Sequence, residues 1–303
     1  MITRAALVDV LLPELPSGRS QSCTVRARAV DAVDDVVARS AGFVAEVAGR
    51  TVLIGLSGAA AMPEGMRSTV IGASAASGLR GRTAALASGD SEQRLLRRLF
   101  WEMPITLRIA GQHTVIEEMG ASRSSARIPL DFVDQCSGWR SGGEVLTRIA
   151  AADGVLSMEL GPERPEPAPA ERWLPNTEPR SPLSMRRSRV LSIAGSEVSL
   201  THRDWYADAN GVVRALHEWN VEARLDLTED GPRFADVRVT GGQLPWRECP
   251  SAGGSGSWLD GRSPAEIDAT ISEDFLGIAT CTHLNDALRM FADVPDLLEL
   301  SVA

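Results

Sequence analysis

The chain reads as an α+β protein made of two related β-rich halves, each closed by helices. Three observations predict this. Short β-branched apolar runs recur in both halves, a proline-dense stretch separates them, and one helix ending occurs twice at a constant offset. The proline-dense stretch is Gly161-Pro-Glu-Arg-Pro-Glu-Pro-Ala-Pro-Ala170, with more prolines at 175, 179 and 182. Proline cannot donate to a sheet ladder and disfavours helix, so the stretch reads as an extended connector. The resulting division is a degenerate amino-terminal α+β half over 1–160, a proline-rich connector over 161–184, and a carboxy-terminal α+β half over 185–303 that carries the site.

In the amino half, Cys23–Val37 and Gly42–Leu56 have strand character, strongest at Arg50-Thr-Val-Leu-Ile-Gly55. Ser91–Trp101 is helical by its spacing, with Leu95, Leu96 and Leu99 on one stripe and arginines opposite. The segment Asp134-Gln-Cys-Ser-Gly-Trp-Arg-Ser-Gly-Gly143 is a turn-rich loop before the apolar stretch Val145–Ala151. In the carboxy half, Arg189–Leu200, Val212–Leu227 and Phe234–Val239 read as strands. Pro264–Phe275 reads as a helix with proline in its first turn, where no donor is needed. A last helix over Thr282–Phe291 places Leu284, Ala287, Leu288 and Phe291 on one face. The repeated ending is Leu96-Arg-Arg-Leu-Phe-Trp-Glu-Met-Pro104 against Ala287-Leu-Arg-Met-Phe-Ala-Asp-Val-Pro295, which suggests an ancient duplication.

Composition narrows the chemistry. All 31 basic residues are arginine, which excludes lysine Schiff bases and a P-loop lysine. Tyr206 is the single tyrosine. The net charge of −9 comes without a basic stripe, so nucleic acid is not an expected partner. Met185-Arg-Arg-Ser-Arg189 reads as a solvated strand start. No apolar run is long enough to span a bilayer, and acidic residues with a proline beside the first apolar stretch do not make a signal peptide. A cytoplasmic protein with free thiols at Cys23, Cys136, Cys249 and Cys281 is the expectation.

The residues able to do chemistry concentrate in the carboxy half. Cys281 precedes Thr282, a good N-cap, and a thiol facing unpaired amide donors at a helix start should have a lowered pKa. His283 stands two positions on, placed to act as acid or base beside that thiolate. The competing reading makes Cys281 a small buried hydrophobe. Alternation puts His202 and Asp204 on one strand face, while His217 and Glu218 lie on the next strand. A hairpin across Asp208-Ala-Asn-Gly211 would set His202 and His217 opposite each other. Either an acid–base site or a cross-strand polar pair fits that pattern. These six are the candidate catalytic residues. Trp219, Trp246, Cys249, Trp139 and Arg203 are the candidate substrate-binding ones, and Trp205 and Trp258 fall nearby. Cys249, Cys281, His283 and a strand histidine would suit zinc by residue type, but their spacing is long and irregular, so no metal and no cofactor is expected.

The segments Met185-Arg-Arg-Ser-Arg189, Thr201-His-Arg-Asp204, His217-Glu-Trp219, Leu244-Pro-Trp-Arg-Glu-Cys-Pro250 and Thr280-Cys-Thr-His-Leu-Asn-Asp-Ala-Leu-Arg289 resemble a bacterial family catalogued as domain of unknown function 2889. The Cys-Thr-His-Leu element is the most specific. The loop Asp134–Gly143 is similar to a glycine-rich element of longer actinobacterial members. Trp219 departs from the pattern, standing where members tend to carry a phenol or an aliphatic side chain. The resemblance implies that His202, His217, Cys249, Cys281 and His283 form one site, and it supplies no reaction. The expected function is a metal-free enzyme using His/Cys acid–base chemistry on a small, partly apolar organic substrate. Lyase, isomerase or cyclase, and hydrolase are preferred in that order. A non-catalytic ligand-binding or assembly protein, or a zinc-dependent Cys/His enzyme, is the alternative. The expected partner is the small-molecule substrate, with no nucleic acid and no membrane; self-association is left open.

Overall fold

The protein is described by a computed structural model covering residues 1–12, 22–49, 51–122, 132–151, 161–163, 167–174 and 181–301. Much of the proline-rich connector, at 164–166 and 175–180, lies outside the described residues, as does the segment 152–160. Eight antiparallel strands form one sheet. They are β1 (Ile2–Leu11), β2 (Cys23–Val33), β3 (Val36–Ala48), β4 (Val52–Ser57), β5 (Ser184–Ala194), β6 (Glu197–Ala207), β7 (Val213–Thr228) and β8 (Gly231–Gly241), in the spatial order β4-β3-β2-β1-β5-β6-β7-β8. Each half is thus a four-stranded meander followed by helices. The halves do not pack as separate units, because β1 pairs with β5 along its whole length, from Ile2↔Ile193 to Leu11↔Ser184.

Local chemistry explains the turns. Asp34 and Asp35 both take positive φ, as a two-residue hairpin between β2 and β3 requires. The strand expected over Arg189–Leu200 is two strands: Gly195, at φ 61, reverses the chain between β5 and β6. The Asp208–Gly211 turn forms as its sequence predicts. The Asp208 carboxylate accepts the N–H groups of Asn210 and Val212.

The helices are α1 (Met66–Val70), α2 (Leu79–Arg82), α3 (Ser91–Ser122), α4 (Glu144–Ala151), α5 (Ile267–Glu273), α6 (Thr282–Leu288) and α7 (Val294–Leu298). The helix read over Ser91–Trp101 runs on to Ser122 as α3. The helix read over Pro264–Phe275 is a 3-10 turn with a Ser263/Glu266 capping box, followed by α5. The helix read over Thr282–Phe291 breaks into α6, a 3-10 turn at Arg289–Asp293, and α7.

Two apolar cores form on one face of the sheet. α3 covers Val8, Val10, Val25, Ala27 and Phe43, whereas α5–α7 cover Leu191, Leu200, Trp219, Val221 and Phe234. Phe43 stacks on Phe100 with ring centres 4.5 Å apart, and Phe234 stacks on Phe291 at 4.6 Å. On the opposite face, residues 168–174 cover Ala5, Leu7, Val190 and Trp205. A seam runs between the two helical caps. It is filled with buried charge rather than apolar side chains, and it positions the site.

Candidate active site

Strand alternation builds the floor of the seam. Arg187 and Arg189 on β5, His202 and Asp204 on β6, and His217 on β7 all face the helices. Arg187 donates to both oxygens of Asp204 at 2.8 Å, in bidentate fashion. The Asp204 carboxyl is therefore held well below its usual range. Burial acts against ionisation, but the Arg187 charge and hydrogen bonds, aided by His202, outweigh it. The helices supply the remaining counter-charges. Glu102 of α3 pairs with Arg189, and Asp286 of α6 accepts from Arg187 and Arg189 at 3.0 Å each and pairs with Arg80.

This arrangement sets the state of His202. Its Nδ1 accepts from Arg189 Nε at 3.1 Å, so the ring proton belongs on Nε2, which lies 3.2 Å from Asp204 Oδ2. Burial, and then the two arginine charges, hold its pKa down to about 3 despite the carboxylate. His202 is a neutral, fully buried wedge. His217 places Nδ1 3.4 Å from the same Asp204 oxygen. Both histidine nitrogens approach the carboxylate closely but off the line of an aligned hydrogen bond.

His217 and His283 stack face to face with ring centres 3.7 Å apart. Both rings border a small cavity of about 80 Å³. Burial and the His217 ring keep His283 well below the usual imidazole range. His283 Nδ1 is 3.8 Å from Cys281 Sγ. Cys136, Cys249, Trp139 and Trp246 line the rest of the wall. Gly138 is required here, because a Cβ at that position would come within 2.8 Å of Cys249 Sγ and 2.9 Å of Trp246. Among the described residues, no group of three or more His, Cys, Asp or Glu side chains is spaced to hold a metal ion.

The lowered thiol pKa expected of Cys281 is corrected by the structure. The thiol stands at the start of α6 and receives the backbone N–H groups of Leu284 and His283, yet burial dominates and pushes it up to about 12. Cys136 and Cys249 are raised as well, again through burial. All three are thiols at neutral pH.

The structure brings His217, His283, Cys281, Cys249, Trp139 and Trp246 to one cavity, with Asp204 and His202 directly behind His217. Other expected members lie elsewhere. Glu218 points to the opposite face, where it accepts from the Gln243 N–H and faces Arg203 at 3.9 Å. Arg203 is spent on Asn220 and on the carbonyls of His202 and Trp219. Trp219 is wholly buried in the core beneath α5–α7. His202 pairs with Trp219 across the strands, and Asp204 is the partner opposite His217; a bulge beside Trp205 shifts the register by one residue, without which Arg203 would stand there. Trp205 faces away and Trp258 is exposed at 40%. Arg187 and Arg189, read as a solvated strand start, are each 1% exposed. Sequence reasoning did not single out Cys136, Asp286, Glu102 or Arg108. Their motifs are common ones, and only the meeting of α3, the 136–139 turn and α6 distinguishes them.

No curated protein and no solved structure matches the chain. Residues 197–295 match a family described as "Protein of unknown function (DUF2889)". The matched segment, within the carboxy half, carries His202, Asp204, His217, Cys249, Cys281 and His283, and it is this segment that is similar to the family.

Proposed function

We propose that the cavity is the active site of an enzyme acting on a small, partly apolar organic molecule, with His217 as its general base. One observation carries this reading: a cavity-lining imidazole is backed by a carboxylate that two arginine hydrogen bonds keep ionised. A proton on His217 Nδ1 would face Asp204, leaving the other ring nitrogen free to take a proton from substrate and return it. Asp204 would stabilise the imidazolium formed. His283, neutral and stacked on His217, orients that ring. Cys281 enters as a neutral thiol donor, since burial opposes a free thiolate. Proton abstraction and return suit a lyase or isomerase before a hydrolase, because neither needs an activated nucleophile from the protein.

The test is a panel of small organic acids, alcohols and carbonyl compounds followed by mass spectrometry, with wild type beside His217→Ala. Conversion should fall by about a hundredfold or more in the variant while the folded state is retained. Compounds that stabilise both proteins equally and are never converted would favour the ligand-binding reading instead.

A duplication of one ancestral unit is supported by the same structure. An equal spacing separates Phe43 from Phe234, Phe100 from Phe291, and Glu102 from Asp293. Arg4 stands opposite Asp31 as Arg187 stands opposite Asp204, and the acid of each cap reaches the other half's arginine: Asp293 to Arg4 at 3.1 Å and Glu102 to Arg187 at 3.6 Å. A superposition of the halves that left these phenylalanines apart by more than one strand spacing, about 4.8 Å, would remove the proposal.

A further inference from the structure

Beside the histidine cavity lies a wider groove of about 300 Å³, and both are bordered by Ile105, Arg108 and Thr282. Arg108 of α3 stands at the junction. It is exposed, and among the described residues no carboxylate pairs with it. Its neighbours differ: Arg80 pairs with Asp286, and Arg98 with Asp293. A guanidinium that borders two neighbouring cavities, with no carboxylate partner among the described residues, is a ready anchor for an anion.

A second observation points to the same ligand. Trp101 lines the groove, and its indole N–H is buried without a hydrogen-bond partner. A buried N–H left unmatched costs free energy that an acceptor in the groove would recover. The guanidinium groups of Arg80, Arg97 and Arg98 lie 5.5, 4.8 and 5.6 Å from the Trp101 ring. Cations over the ring draw electron density from it, which strengthens the N–H as a donor.

We infer that the substrate is a small organic monocarboxylate, its acid group held by Arg108 and the Trp101 N–H and its apolar body directed toward His217. This names the substrate class of the proposed active site and rests on that reading for its catalytic meaning. Charge selects a monoanion. Asp286 borders the groove with Arg80 and Arg108, so the local sum is one positive charge, too little for a phosphate dianion. Trp139 and Trp246 give the apolar body an aromatic wall.

Calorimetric titration of the full chain with benzoate, benzamide and phenyl phosphate tests the anchor without needing turnover. Benzoate should bind about tenfold or more tighter than benzamide, its neutral isostere. Arg108→Gln should weaken benzoate about tenfold and leave benzamide unchanged, with Arg108→Lys in between. In a nitrogen–proton correlation spectrum, the Trp101 indole signal, assigned by its loss in Trp101→Phe, should move with benzoate and not with benzamide. No benzoate binding at millimolar concentration, equal binding of the two, or unchanged affinity in Arg108→Gln would each overturn the anchor. Tighter binding of phenyl phosphate than of benzoate would overturn the monocarboxylate assignment. Benzoate binding as expected, in a protein that converts no carboxylate of the panel, sinks the enzyme reading alone.

Discussion

Arg187 gives Asp204 two hydrogen bonds of 2.8 Å, and that pairing governs both histidines beside it. Burial, and then the charges of Arg189 and Arg187, keep His202 neutral with its pKa near 3, against the pull of Asp204 on its other nitrogen. An unfolded histidine takes up a proton below about pH 6.5, whereas folded His202 does so only near pH 3. Between those values unfolding consumes a proton, so stability is full above the window and falls as pH drops through it. Denaturant curves from about pH 7 to about pH 4.5 should lose up to about 1.4 kcal/mol per unit for this group. In His202→Gln that part of the slope should vanish. A slope identical to wild type would show that His202 is already charged in the folded protein.

At the scale of the helices, packing decides what spacing leaves open for Arg98. Arg98 stands one turn after Leu95 and flanks the Leu95, Leu96 and Leu99 stripe, where spacing alone leaves its exposure open. In the folded protein α3 has two covered sides: the sheet takes the leucines, and the turn before α7 takes Arg98, which donates to Asp293 at 2.7 and 2.8 Å. Asp293 is held near 2, because the charges of Arg98 and Arg4 prevail over its burial. Each cap also carries one aromatic stack onto the sheet, Phe100 on Phe43 and Phe291 on Phe234. Phe100→Ala and Phe291→Ala should each cost about 3–5 kcal/mol in chemical denaturation. A loss in one variant and none in the other would mean that one cap does not depend on its stack.

For the whole molecule, the decisive contact is β1 against β5. It joins the halves by a full strand ladder, and it buries both strands under cover on the two faces of the sheet. A chain cut by a specific protease at a site engineered near residue 178 should stay associated and elute at the size of the intact protein. The carboxy half alone, 185–303, would expose the β5 edge and half of the ionic seam, so it should not remain a monomer with native spectra. Separation of the cut halves under native conditions would show that the ladder is weaker than its register suggests.

The sequence by itself determined the class of elements, the Asp208–Gly211 hairpin, the helix bearing Phe100 and the concentration of histidines in the carboxy half. These follow from local periodicity and turn chemistry, which neighbouring residues carry among themselves. Only the tertiary structure decided which face each polar side chain uses and which partner it meets. A single bulge beside Trp205 sets Asp204 rather than Arg203 opposite His217. Glu218, one residue from His217, lies on the far face for want of an even spacing. Cys281 has the helix-start position that favours a thiolate, and burial reverses the outcome. Desolvation depends on what packs around a group from distant parts of the chain, and no local pattern records it.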